Sequence, residues 1–311
     1  MANVRGKAID NTHLSIDVAE DRGFVHRDYI AHCHRWSHVV KFLGQGHRFK
    51  TSRILDIGCG KDVPLAKSLY SQKFVVEQYV GVDYNKKLNL DPFHSGRFPI
   101  AAFGEVDFAN DVYVSEDGEL VVASKQGGKT FDIPNIFTCF EVIEHVEPAH
   151  ARLMLENVHS IMEERYEYDV ANGNDEPGGH FFLSTPCYDS VVGAAGNHVS
   201  EISRLALGAL LEDIGFEIVG NYGTFASIRD YEDVLRKDGH GPLFDNLRKY
   251  YDVNLLATIF APLYPQYARN NLWHLRYYSP GQERVVERRF VSLKDTPGPW
   301  TSSEKWKELQ A

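Results

Sequence analysis

The sequence predicts an α/β protein built on an open parallel sheet with helices on both faces, and three stretches carry that prediction. Residues 53 to 62, Arg-Ile-Leu-Asp-Ile-Gly-Cys-Gly-Lys-Asp, read as a buried strand that turns on glycine into a helix. Tyr79-Val-Gly-Val-Asp83 follows about twenty residues on as a second apolar strand ending in a carboxylate. Phe181-Phe-Leu-Ser-Thr-Pro186 is a third strand of the same buried kind.

Each element has a local reason. Tyr29, Ile30, Cys33, Trp36, Val39, Val40 and Leu43 recur at helical spacing, so Arg27 to Leu43 reads as an amphipathic helix lying before the core, placed to cover a ligand. Ile54, Leu55 and Ile57 form the first strand, and Gly58 and Gly60 allow backbone angles and close ligand approach that a Cβ forbids. Asp62 is expected to cap the next helix, with Pro64 in its first turn. Asp83 stands where an acid grips the hydroxyls of an adenosine ribose. Gly104-Glu-Val-Asp-Phe108 supplies a third strand end, with Asp107 and Phe108 expected to hydrogen-bond and flank an adenine. Residues 111 to 134 carry alternating valines around Asp117-Gly118, the pattern of a hairpin inserted between the third and fourth core strands. Ser203 to Gly215 is an amphipathic helix closed by glycine, and Phe216-Glu-Ile-Val-Gly220 continues the sheet. Residues 226 to 268 interrupt it with helical pattern and many aromatics, read as a substrate cap, before Asn271 to Tyr278 form the last strand.

The chain has 311 residues, 43% of them hydrophobic, enough for one large core with additions. No apolar run approaches the roughly 20 residues that span a membrane, so no membrane partner is expected. The start has no apolar leader, and Cys33, Cys59, Cys139 and Cys187 show no paired spacing, which points to the cytoplasm. A formal charge of −10 offers phosphate backbones no global attraction, which turns the expectation toward a small-molecule or nucleotide substrate. Oligomeric state is not legible.

The glycine turn alone serves dinucleotide and S-adenosylmethionine binding alike; the dinucleotide pattern wants Gly or Ala where this chain has Val63. Four further segments discriminate. Asp56-Ile-Gly-Cys-Gly60, Asp83, Glu141-Val-Ile-Glu-His-Val146, Ser184-Thr-Pro186 and Asn197-His-Val-Ser-Glu201 occur in the order and spacing of class I S-adenosylmethionine-dependent methyltransferases, and the chain resembles their quinone-biosynthesis and small-molecule O-methyltransferase branch over roughly residues 50 to 225. The resemblance implies a Rossmann-like seven-stranded α/β sheet with a cofactor-binding core over 51–225; the residue pattern outside it gives an N-terminal helical extension over 1–50, a helical cap over 226–268, the last strand within 269–295 and a tail over 296–311. It implies S-adenosylmethionine as cofactor, held by Asp56, Gly58, Cys59, Gly60, Asp83, Tyr84, Asp107, Phe108 and Glu141. Where that family often has a third glycine, this chain has Asp62, which bears on how the methionine end is held.

Methyl transfer needs positioning and, for a hydroxyl acceptor, a base. His145 and His198 are the expected catalytic residues; the alternative is that each hydrogen-bonds its own loop. The resemblance also brings in acids that bind a divalent cation, but Glu141 and Glu144 are expected to be solvated or capping, and no metal is assigned. His32, Cys33, His34 and His38 read as one helix surface rather than a zinc site, and Arg284, Arg288 and Arg289 as a solvated face. Methylation of an exocyclic base amine relies on an Asn/Asp-Pro-Pro-Tyr/Phe loop where this chain has Phe140-Glu-Val-Ile, and Pro186-Cys187 falls one strand too late for a cytosine nucleophile. Against that, His32-Cys-His-Arg-Trp36 with Gly58-Cys-Gly-Lys-Asp-Val-Pro-Leu-Ala66 resembles methyltransferase-like proteins of tailed bacteriophages, which keeps a nucleotide or nucleic acid acceptor open. An NAD-dependent oxidoreductase and a catalytically silent binding module are the remaining readings.

Overall fold

The computed structural model describes residues 27–93, 98–125, 127–174, 176–191, 193–279, 288–290 and 292–296. The first part of the N-terminal extension, Arg284 and nearly all of the tail lie outside the described residues. Seven strands form the main sheet: β1 (Arg53–Ile57), β2 (Gln78–Val82), β3 (Ile100–Phe103), β7 (Ile136–Phe140), β8 (His180–Pro186), β9 (Phe216–Phe225) and β10 (Asn270–Tyr277), in the order β3-β2-β1-β7-β8-β10-β9. The first five in that order run parallel, and β10 lies antiparallel between β8 and β9.

Successive residues of a strand point to opposite faces, and here both faces are apolar. Leu55, Val80, Phe137, Phe181 and Trp273 face α4 (Pro148–Ala171) and α5 (Arg204–Ile214), which contribute Met154, Leu155, Val158, Leu207 and Leu211. Their strand neighbours Ile54, Tyr79, Ile136, Phe182 and Leu272 face α1 (Arg27–Gly44) and α2 (Pro64–Ser71), through Val39, Val40, Leu43, Leu65 and Leu69. Capping explains the bounds of α5: Ser203 accepts a hydrogen bond from the Ala206 amide, and Gly215 closes the helix at φ 118°.

Several expectations change. Asp62 does not cap α2; Val63 holds the N-cap position in a left-handed conformation with no side-chain cap, and the Asp62 carboxylate instead accepts from Asn89 Nδ2 at 2.9 Å and pairs with Lys67 at 3.4 Å. The expected hairpin is present as β4 (Val112–Val114) and β5 (Leu120–Val122), turned at Gly118, but β6 (Lys129–Phe131) extends it to three strands. The mostly exposed Lys-Thr-Phe of β6 has no buried alternation to announce it. Arg288 is not simply solvated: it pairs with Glu212 and Asp213 of α5.

The helical insertion before the last strand comprises α6 (Ile228–Lys237), α7 (Gly241–Leu247) and α8 (Val253–Phe260). It buries Tyr231, Leu235, Phe244, Leu256, Phe260 and Tyr264 in a core of its own, and it packs on β9 and α1.

Candidate active site

The turn after β1 is tied to the end of β2 by hydrogen bonds. Gly58 and Cys59 donate their amides to Val82 O at 2.8 and 3.2 Å, and Gly60 donates to Asp83 Oδ2 at 2.8 Å. Asp83 Oδ1 accepts the Asn85 amide at 2.7 Å and its side chain at 2.6 Å, so the carboxylate is held at both oxygens. Gly58 has φ 68°, and a Cβ there would stand 2.2 Å from Val142 Cγ2. Gly60 has φ 71° and open space where its Cβ would go, with Pro64 Cδ 3.8 Å away. One glycine is needed for packing against Val142, while the other leaves its side of the turn open.

A cavity of about 1080 Å³ opens at the carboxyl ends of β1, β2, β7 and β8, where an open parallel sheet leaves its ligand crevice. Asp56, Gly58, Cys59, Gly60, Asp83, Tyr84 and Phe108 line one part of it. Asp56 is buried, and it receives the hydroxyls of Tyr79 and, at 2.6 Å, Thr138. Burial pushes its pKa up to about 6 against the pull of those two hydrogen bonds, so Asp56 joins β1 to its neighbours on either side. Asp107 is not among the lining residues. It caps the short helix α3 (Phe108–Asp111) by accepting from the Ala109 amide at 3.1 Å, and it pairs with His150 Nε2 at 3.0 Å. A helix starting at Phe108 needs a cap at Asp107, and that local demand takes the side chain expected to reach an adenine.

Glu141, Glu144, His145 and His198 line the other part. Glu141 sits at the end of β7 with φ 56°, and its carboxylate is taken by three elements: Oε1 accepts from Ser184 at 3.0 Å and faces Arg35 at 3.2 Å, while Oε2 accepts from Asn270 at 2.7 Å. It is therefore not a solvated acid. Glu144 is buried outright, with Thr185 donating to Oε2 at 3.1 Å and no hydrogen bond at Oε1. Burial, with the Glu141 charge beside it, pushes its carboxyl well above the usual range. His145 closes a 3₁₀ turn over Ile143–His145; its Nδ1 faces Asn197 O at 3.3 Å and its Nε2 lies 3.9 Å from Glu144 Oε1.

His198 arrives from the loop after β8, with its ring 5.0 Å from that of His145. The two loops are stitched together: Val199 and Ser200 donate their amides to Glu144 O at 2.8 and 3.1 Å, and Ser200 Oγ donates to Ile143 O and Val146 O. Glu144, His145 and His198 place one potential ligand atom each within 4.8 Å of one another, the one such grouping among the described residues. Cys187 also lines the cavity; Asn271 donates to its sulfur at 3.2 Å, and burial pushes the thiol up to about 12, which suits packing rather than nucleophilic attack.

Sequence reasoning gave no role to Asn270, nor to Arg35 and Glu201, which it named only within motifs. Arg35 is a buried cation on α1 that borders the cavity, bonded to His32 Nδ1 at 2.7 Å, and the signal was its place between Ala31 and Val39 on the buried stripe. The rings of His34 and His38 sit 5.9 Å apart between centroids, with His38 against Phe182 and Tyr222, and among the described residues neither belongs to a group of possible metal ligands. None of residues 226–268 borders the cavity. Phe225, Arg269 and Asn270, at the two ends of the insertion, do border it, and the insertion packs on β9 and α1.

A glycine turn after the first strand, an acid after the second and an antiparallel strand between the last two parallel ones define a Rossmann-like class I methyltransferase, the class whose cofactor is S-adenosylmethionine. The chain belongs to the methyltransferase domain family, whose model matches residues 25–221. No curated protein matches it. Similar solved structures include magnesium protoporphyrin IX methyltransferase from Synechocystis PCC 6803 with bound S-adenosylhomocysteine (12% identity over 80% of this chain and 84% of that one, TM-score 0.44). Another is Burkholderia thailandensis 1,6-didemethyltoxoflavin-N1-methyltransferase (12%, 85% and 85%, 0.45). A third is the small RNA methyltransferase HEN1 (14%, 80% and 26%, 0.45). Likenesses this distant carry no acceptor over to this chain.

Proposed function

We propose that the chain methylates a small-molecule oxygen or nitrogen acceptor, with S-adenosylmethionine held against Gly58, Cys59, Gly60, Asp83, Tyr84 and Phe108 and the acceptor brought up to Glu141, His145 and His198. The observation that carries this reading is one continuous cavity with the glycine turn and Asp83 along one part and two histidines from separate loops along the other. Bound there, S-adenosylmethionine supplies an electrophilic methyl and leaves as S-adenosylhomocysteine. The chain's residues have the rest to do. Asp83, already oriented by Gly60 and Asn85, offers its carboxylate to the ribose hydroxyls. The Asn197 carbonyl only accepts, so it favours the proton on His145 Nδ1 and leaves Nε2 as the basic nitrogen that takes the acceptor's proton.

A second reading is favoured by Glu144, whose buried Oε1 lacks a hydrogen bond and faces His145 Nε2. One carboxylate oxygen and two imidazole nitrogens suit a divalent transition ion, so Glu144, His145 and His198 would hold the metal and His145 would not act as the base. Such an ion would supply Lewis acidity toward an acceptor hydroxyl. Binding of Mn²⁺ to chelator-treated protein, read by electron paramagnetic resonance and lost in His198→Ala, would favour this reading over the base.

Calorimetric titration with S-adenosylmethionine and with NAD tests the class of cofactor: heat with the first alone is expected, and heat with NAD alone overturns the proposal. Incubation with methyl-labelled cofactor and cell extract, fractionated into metabolites, nucleic acid and protein, then tests the acceptor. Label in the metabolite fraction is expected, and label confined to nucleic acid would replace the small-molecule reading by the nucleic acid one.

A further inference from the structure

Glu201 is a buried acid at the edge of the cavity, and its carboxylate oxygen Oε1 is committed twice. It accepts the Ala195 amide at 3.0 Å and lies 2.5 Å from His198 Nδ1. The loop between these groups is closed by His198 N donating to Ala195 O at 3.0 Å. Its next residues, Val199 and Ser200, are bonded to the turn that carries His145. His198 is thus held on its Nδ1 side by a fixed acceptor, and its ring stands against that of His145.

We propose that Glu201 is a positioning residue that sets the tautomer of His198, keeping the proton on Nδ1 and the Nε2 lone pair available at the acceptor end of the cavity. A carboxylate oxygen bonded to a backbone N–H has no proton to give, so the hydrogen of a neutral imidazole 2.5 Å away belongs on Nδ1. Without that partner a histidine side chain in water favours the other tautomer, with the hydrogen on Nε2, which would present a donor where the site needs a lone pair. The inference rests on the acceptor-end reading of His198. It bears on both versions of that reading: the cation version needs the lone pair of His198 itself, and in the base version that lone pair lies beside the His145 base, 5.0 Å away between ring centroids.

The test is nitrogen NMR of the full chain labelled with ¹⁵N, read without cofactor or acceptor, with the His198 signal identified by its loss in His198→Gln. The wild type is expected to show the Nδ1–H tautomer, and Glu201→Ala to shift His198 toward Nε2–H. Glu201→Gln keeps an oxygen for the Ala195 amide and is expected to retain the wild-type tautomer, a rescue that loss of loop structure would not produce. Methyl incorporation in Glu201→Ala is expected to fall by about 10- to 100-fold, the usual cost of freeing an orienting partner, with the dissociation constant for S-adenosylmethionine unchanged. An Nε2–H tautomer in the wild type overturns the proposal, and so does an unaltered tautomer in Glu201→Ala. Should Glu201→Ala fail to fold, the wild-type tautomer still decides. Failure to bind S-adenosylmethionine would overturn the proposed function instead, and the tautomer measurement would stand apart from it.

Discussion

Asp83 joins the glycine turn to the proposed site, because the carboxylate that accepts the Gly60 amide is the one proposed to hold the ribose. Asp83→Ala is expected to weaken S-adenosylmethionine binding by about 1.5 to 3 kcal/mol, the worth of a hydrogen bond to a charged group, and titration calorimetry measures it directly. Unchanged affinity would show that the ribose is held elsewhere. His145→Ala is expected to keep cofactor affinity and lose roughly 10²- to 10⁴-fold in methyl transfer if the imidazole is the base. The decisive measurement is rate against pH in both proteins: a limb near the histidine range that persists in the variant excludes His145 from that role. Asp83 and His145 were legible as candidates because one directly follows a recognisable strand and the other lies in the short turn after one. The diversion of Asp107 to its own helix cap was not, since an acid at a strand end looks the same whichever partner it takes.

At the scale of elements, α1 makes the stability of the molecule depend on pH. It lays Phe42 against His180, Phe182 and His274, and His38 against Phe182 and Tyr222, while His180 Nδ1 and His274 Nε2 share a 2.9 Å hydrogen bond. Burial, then the charges of Arg276 and Arg48, lowers His180 to about 3; burial, then His180, His38, Arg276 and Arg48, lowers His274 to about 2. Both remain neutral in the folded chain while the unfolded chain protonates them near 6.5. The unfolded state therefore binds more protons below pH 6.5, and the stability present above that pH is lost as pH falls toward the folded values. Asp56, raised to about 6, works in the opposite direction between about 6 and its unfolded value. Urea unfolding at pH 7 and at pH 5 is expected to show the loss, and His274→Phe to flatten it by up to about 1.4 kcal/mol per pH unit. Equal slopes in both proteins would mean that His274 takes up its proton without unfolding.

For the whole molecule, the insertion over 226–268 has its own core and contacts with the rest of the fold. Its aromatics form a separate core that rests on β9 and α1, and α1 in turn delivers Arg35 to Glu141. Removing residues 226–268 is expected to abolish cooperative unfolding in a circular-dichroism melt, because the end of β9 and one side of α1 would lose their cover. A deletion variant that melts cooperatively and binds S-adenosylmethionine would return the insertion to the role of a dispensable cap.

The sequence by itself determined the class and most of the frame of this protein. Glycines at 58 and 60, the acid at 83, the doubly buried strands and the Ser203 and Gly215 caps are local signals, set by backbone angles and by the spacing of apolar residues. Tertiary structure decided which of the marked side chains meet. Arg35 finds Glu141 more than a hundred residues away, Asn270 finds the same acid from the last strand, and Glu201 turns toward His198 while two loops close on His145. Periodicity tells which face a residue occupies; the partner on that face depends on how separate elements pack, and no local pattern carries that information.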